Sequence, residues 1–430
     1  MGEALRRRAP AAPSMSETPL SISAETARRL VVTKQHLGGA PLLRGTRADA
    51  LSVIRDLAYV QWDPVPIVAP SHLLSLWARL ERFDPAGLER MLWKEKSLML
   101  HWTPIASLVL TEDYPLYYSL MRRYPDSLTR SWGAQRARYQ RFLSERSDLR
   151  RRMLAELRNG PLPLSGFRDH PTTKRRDGDW SPSSDVAQML YHLHMQGKVM
   201  VVAHQGGQNV WGLTDTFLPG SVQRKELPEE ELEREAAQRA LRALGIATPR
   251  EIHRYFPRGR YQDLPRALES LRKEGTIVPV NVEGSRRREE RYLHADDRPL
   301  LQTLGDGSWE PRLSLLPPFD NMLYEIPRTR RLFDFDYVRE QFLPPEKRRF
   351  GTYVLPILWG DRFLGRIDPR LDRESGVLHI QAVHAEPGAP QDRRTGERIR
   401  AAVASLASAV GADRVTYPSQ VPGAWKGALR

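Results

Sequence analysis

"SSDVAQMLYHLHMQGKVMVVAHQGGQNVWGL", residues 183–213, decides how the rest of the chain is read. Apolar residues at helical spacing lead into two β-rich runs that meet across "QGGQN", a hairpin turn signal. Just before it, "RRMLAELRNGPLPLSGF" (151–167) gives a helix, a Gly-Pro stop and the start of the next helix. Helix, turn, helix and hairpin make a winged helix over residues 151–220. The plan then recurs with different residues over 221–300: "EAAQRALRALGIATPREIHRYF", "LPRALESLRKEG", and the strands "TIVPVNV" and "RYLHA" around a wing carrying "GSRRREER". Two units of similar length and plan point to tandem recognition modules.

Upstream, residues 21–121 read as a first unit of the same kind. "SISAETARRLVVTKQHLG" is a helix with Ser23 as N-cap and Gly38 as stop; further helices run from about Arg47 to Ala58 and from about Ser71 to Leu80, and "SLMLHW" (97–102) is a returning strand. After about residue 310 the texture changes to strands. "FGTYVLPILWGDRFLGRIDPRLDRESGVLHIQAVHAE" alternates β-rich runs with the turn pairs Gly360-Asp361 and Ser375-Gly376, a meander or small barrel, and a closing helix follows at 398–410. The expected class is α+β: tandem winged helices, then a barrel-like β-domain over 301–430, with a disordered arm at 1–20 and an Arg-rich helical connector at 122–150.

Lys and Arg number 66 against 52 Asp and Glu, leaving a formal charge of +14. Such a balance favours a polyanion partner. Half of the excess lies in 122–152, where ten Arg face Asp126, Glu145 and Asp148. A solvated helix face and a phosphate-contacting face both explain such a run. "TKRR" (173–176), with Lys174, Arg175 and Arg176, and "RRR" (286–288), with Arg286, Arg287 and Arg288, are further candidate phosphate contacts.

With no cysteine the chain holds no disulfide or thiolate metal site. Apolar stretches such as "VLPILW" (354–359) fall far short of the ~20 residues of a membrane helix. A cytoplasmic location is expected, with Met15 a possible true start. Neither G-x-x-x-x-G-K nor G-x-G-x-x-G occurs, which disfavours a nucleotide-driven motor or a dinucleotide enzyme. His192 and His194 lie two apart in a helix and point to different faces, so no metal pair is expected there. Of Trp62, Trp77, Trp102, Trp180 and Trp211, which could stack on bases, most are expected in the core.

One stretch invites chemistry. "AYVQWDPVPIVAPSHLLSLWARL" (58–80) puts Gln61 and Asp63 two residues apart before a proline-broken turn. Asp before Pro is held extended and readily caps the next helix; a catalytic role is the other reading.

Several blocks in order resemble the YcaQ-like family of bacterial DNA glycosylases, which includes the AlkZ cross-link repair enzymes. They are "ISAETARRLVVTKQHL", "VQWDPVPIVAPSHLLSLWARL", "GKVMVVAHQGGQNVWGLTDTFLP", "LSLLPPFDNMLYEIPRTRRLFDFDY" and "PPEKRRFGTYVLPILWGDRFLGRIDPRLDR". The resemblance implies three winged helices and a C-terminal β-domain forming a concave basic surface for DNA. It also implies hydrolysis of alkylated-purine glycosidic bonds by the Gln-x-Asp pair, Gln61 and Asp63, on double-stranded DNA with alkylated or cross-linked bases, without cofactor or metal and as a monomer. Arg328 and Arg330 keep the C-terminal block basic and are candidate DNA-binding residues too. The chain departs where Thr103 and Pro104 follow Trp102 in place of the family's Trp-x-His, where Tyr324, Glu325 and Ile326 replace Trp-Asp-Arg, and where Pro70 replaces a common Arg. Glycosidic cleavage passes through an oxocarbenium-like sugar, which one carboxylate stabilises while orienting or deprotonating water. A cationic N7-alkylated guanine leaves neutral and needs no general acid. Residues i and i+2 of an extended segment share a side, so Gln61 and Asp63 could hold one water. A non-catalytic winged-helix regulator, with Asp63 a turn residue, is the competing reading.

Overall fold

The structure, a computed structural model, describes residues 19–39, 43–103, 105–126, 133–168, 184–257, 260–285, 289–423 and 425–429. Four sheets organise these residues in an α+β arrangement. The first joins Val60–Gln61 to Ala106–Leu110 and that strand to Leu98–Trp102, all antiparallel. Helix Arg47–Leu57 feeds it, starting on a reciprocal cap between Thr46 and Asp49 and ending at Ala58 in the left-handed region, φ 65°. That turn redirects the chain into the strand within one residue.

Side-chain alternation along this small sheet fixes the whole assembly. Val60, Trp62, Leu98, Leu100, Leu108 and Leu110 share a core with Met189, Leu193, Val201 and Trp211 of the 185–213 unit. Tyr59, Met99 and Val109 share another with Leu241, Tyr255, Phe256 and Leu268 of the 229–273 helices. One sheet is thus packed on both faces by different units.

The second unit has helices Ser147–Arg158 and Asp185–Met195 and the hairpin Val199–Gln205 with Gln208–Leu213, turning at Gly206 and Gly207 with φ 55° and 77°. The third has helices Glu229–Leu244, Pro249–Tyr255 and Leu264–Lys273 beside strands Ile277–Val282 and Tyr292–His294. Its sheet gains an unexpected edge: Leu20–Ile22 pairs in parallel with Val280–Val282. Helix Ala24–Lys34, assigned by sequence to the first unit, follows that strand, and its Ala27, Leu30, Val31 and Val32 are buried with Val278, Val280, Leu293 and Leu323. Leu20 therefore lies in a strand and not in an arm; residues 1–18 are outside the described residues.

The C-terminal sheet runs in the order Leu313–Leu315, Leu355–Trp359, Arg362–Asp372, Val377–Ala385, Arg414–Thr416. It is an open sheet, so the barrel expectation is corrected. The first four strands form an antiparallel meander, but helix Arg393–Ala409 carries the chain back to place the last strand parallel to its neighbour. Ile399, Val403 and Leu406 of that helix share a core with Ile357, Leu378 and Ile380 of the sheet.

A buried polar strut ties the parts together. Arg79 and Asp320, both 0% exposed, form a two-pronged ion pair at 2.6 and 2.9 Å, and Arg79 also donates to the carbonyls of Gln35 and Ser75. Next to it, Asn321 Nδ2 donates to Tyr59 O and to Tyr255 OH, and Tyr255 OH donates to Leu57 O. The chain on either side of Ala58 is thereby pinned from the C-terminal domain and the third unit, which sets where Gln61 emerges.

Candidate active site

Gln61 pairs with Ser107 in the sheet, and the ladder continues through Trp62 N–H to Ala106 O at 2.8 Å. The extended backbone sends Trp62 into the core, 9% exposed, and turns the half-buried Gln61 and Asp63 to the opposite side. Pro64, Val65 and Pro66 are exposed beyond them, Val65 by 51%.

The capping explanation of Asp63 does not hold. Helix Ser71–Trp77 starts after Pro70 with no side-chain cap. The carboxylate makes one long hydrogen bond, from Val65 N–H at 3.3 Å. The loop is held instead by the Asp63 carbonyl, which accepts from Ser71 N–H at 3.1 Å and from His72 Nδ1 at 3.2 Å. The turn thus rests mainly on the Asp63 carbonyl, with the long Val65 N–H bond as the side chain's share in it.

His72 was not singled out from sequence. Its ring stacks on Trp62 at 4.1 Å, and burial pushes its pKa down to about 3, so it stays neutral and donates from Nδ1. His204, on the 199–213 hairpin, meets Trp62 edge-on at 5.8 Å and bonds Asn209.

Burial also raises the Asp63 pKa, opposed only in part by the Val65 N–H. Such a carboxyl holds its proton to a higher pH than an ordinary Asp.

His192 and His194 do point apart. His194 donates from Nδ1 to Val199 O and receives His101 Nδ1 at 3.0 Å, whereas His192 Nδ1 meets Tyr124 OH at 2.7 Å. Burial brings both His192 and His194 down to about 4 and His101 well below the ordinary value. Among the described residues no group of three or more His, Asp or Glu is placed to hold a metal ion.

Trp62 and Trp211 are core residues, Trp77 and Trp102 are partly buried against it, and Trp180 lies outside the described residues. Of the basic candidates, Lys174, Arg175, Arg176, Arg286, Arg287 and Arg288 also lie outside them. Arg330 is 70% exposed and, among the described residues, pairs with Asp336 at 4.0 Å, an interaction too weak to occupy it. Arg328 requires correction. It is buried, donating to Leu244 O and Ile246 O at 2.7 Å each and pairing with Glu251 at 3.1 Å. Helix Ile326–Phe333 turns Arg328 and Thr329 inward, where the guanidinium meets the last carbonyl of helix Glu229–Leu244 and one of the short strand Ile246–Ala247 that follows it. In the connector, helix Gly133–Glu145 buries only Leu143 and presents Arg136, Arg138 and Arg141 to solvent, while Arg123, Arg146 and Arg151 engage carboxylates.

Comparison with known proteins supplies the class: a profile described as DNA glycosylase AlkZ-like matches residues 54–412, most of the chain. The chain belongs to the AlkZ-like DNA glycosylase family, and is thus a DNA-repair enzyme rather than a non-catalytic regulator. Among solved structures, the Streptomyces sahachiroi DNA glycosylase AlkZ is similar over 94% of this chain and 100% of that one, with a TM-score of 0.65 and 17% identity. At that identity the likeness concerns the fold. Among the described residues no helix is long and apolar enough to cross a membrane.

Proposed function

We propose that the enzyme excises purines alkylated at N7 from duplex DNA and unhooks cross-links made through such bases, using Asp63 and Gln61. The observation that carries this reading is the Asp63 carboxylate: half-buried, made more basic by that burial, and held by its main chain rather than its side chain. Such a group stabilises the oxocarbenium-like sugar and takes a proton from the attacking water, which Gln61 orients. The departing base already carries its positive charge, so the single carboxylate suffices. Incubation with a duplex containing N7-methylguanine, followed by alkali to cut abasic sites, tests it; an intact strand at enzyme excess rejects it.

In this reading the three helix-and-hairpin units act as winged helices on one duplex, and one chain serves one lesion without a symmetric site. Phosphates are met by Arg330, Lys174, Arg175, Arg176 and the 286–288 wing. Changing Arg286, Arg287 and Arg288 together to Ala should flatten the slope of log affinity against log salt by roughly two to three, at about 0.9 per phosphate. Titrations on undamaged duplex read this directly, and an unchanged slope takes that wing out of the interface.

A further inference from the structure

The chain just beyond Asp63 forms an apolar tip. Pro64, Val65 and Pro66 are all exposed, and among the described residues only Val65, Val338 and Phe342 are large apolar side chains left so open to solvent. A single exposed apolar residue is ordinary on a protein surface; what sets Val65 apart is its place. Its N–H lies 3.3 Å from Asp63 Oδ1, and an N–Cα bond of about 1.46 Å keeps its Cα within about 4.8 Å of that oxygen. Both feet of the tip are clamped. On one side Asp63 O accepts from Ser71 N–H at 3.1 Å and from His72 Nδ1 at 3.2 Å. On the other, Val68 is 0% exposed, shares a core with Leu74 and Tyr353, and has its carbonyl held by Arg373 at 3.0 Å. Between the feet each proline fixes its own φ and biases the residue before it, Asp63 or Val65, towards extended backbone. The tip has no means of holding a phosphate: it carries no charge, its prolines have no N–H, and the Val65 N–H turns back to Asp63. What it offers outward is a stiff apolar surface.

We infer that Val65 is a wedge for duplex DNA, its side chain, braced by Pro64 and Pro66, entering the stack at the lesion and parting the damaged base from its neighbour. DNA is the substrate of the family to which the chain belongs. To act on a glycosidic bond a carboxylate must approach the sugar carbon to about 3.5 Å, or one water further. Successive bases stack about 3.4 Å apart, so a residue tied this closely to the carboxylate meets the lesion or the step beside it. Apolar side chains, proline among them, part base steps in proteins that kink DNA. Burial of the Val65 side chain against a base offsets part of the cost of unstacking. The inference rests on Asp63 being the reacting carboxylate.

The test uses the full chain at saturating concentration on a duplex whose N7-methylguanine nucleotide is fluorinated at the sugar 2′ position. The electron-withdrawing fluorine disfavours the oxocarbenium and keeps the lesion in place. The adjoining base is 2-aminopurine, which brightens when unstacked. Wild type should raise the fluorescence on binding, and Val65→Ser should lose most of that rise. In single-turnover assays on the cleavable N7-methylguanine duplex the Ser variant should be slower by about ten-fold. Val65→Leu keeps an apolar tip and should retain both the rise and the rate. Melting curves of the two variants should match wild type, since the side chain is exposed. No rise with wild type, or an undiminished rise with folded Val65→Ser, overturns the inference whatever the rates; if the Ser variant does not fold, loss of the rise in Val65→Leu does so. Asp63→Asn run in parallel tells the two readings apart: wild-type excision there removes the catalytic assignment, whereas the fluorescence change reports on the wedge by itself.

Discussion

Asp63→Asn is expected to lower single-turnover excision by roughly 10²–10³-fold, the usual cost of losing one strong electrostatic group in the transition state. The substitution preserves size and one carbonyl oxygen, so the bond from Val65 N–H survives. The contacts that shape the loop, from Ser71 and His72 to the Asp63 carbonyl, are main-chain acceptors and are untouched. Folding and lesion affinity should stay within a few-fold of wild type while the rate collapses. Gln61→Ala should slow excision less, since solvent partly replaces a water-orienting amide. Measurement of both variants beside their melting curves decides; a folded Asp63→Asn enzyme working at full rate would remove the carboxylate from the mechanism.

Arg79→Met should destabilise the protein by about 3–5 kcal/mol, because it abandons the Asp320 carboxylate in a site with no exposure. The loss is larger than the pair is worth. Changing both partners, Arg79→Met with Asp320→Leu, removes the stranded charge and should recover most of the stability. Denaturant unfolding of the two singles and the double gives the cycle, and a double variant as unstable as the singles combined would mean that the other bonds of Arg79, to Gln35 O and Ser75 O, dominate.

What could be read from sequence followed local rules. The cap at Ser23, the helix from Arg47 and the paired glycines of the hairpin all depend on near neighbours in the chain. Arg328 misled because a basic run looks alike whether its members face solvent or reach inward to helix-end carbonyls. Its inward turn is set by packing, which residue type does not encode. His72 lay inside the quoted block, but its value comes from stacking on Trp62 and from burial, neither visible as spacing. The closing helix was legible, but the parallel pairing of the last strand behind it is a tertiary choice that its own residues do not encode.

The edge strand Leu20–Ile22 also bears on how the protein is made. Its partner, Val280–Val282, leaves the ribosome some 260 residues later, a wait on the order of tens of seconds at about 5–20 residues per second. Throughout it, Leu30, Val31 and Val32 lack the strands that bury them, and an uncovered apolar helix face is a target for nascent-chain chaperones. A helix made this early is among the last to be sheltered.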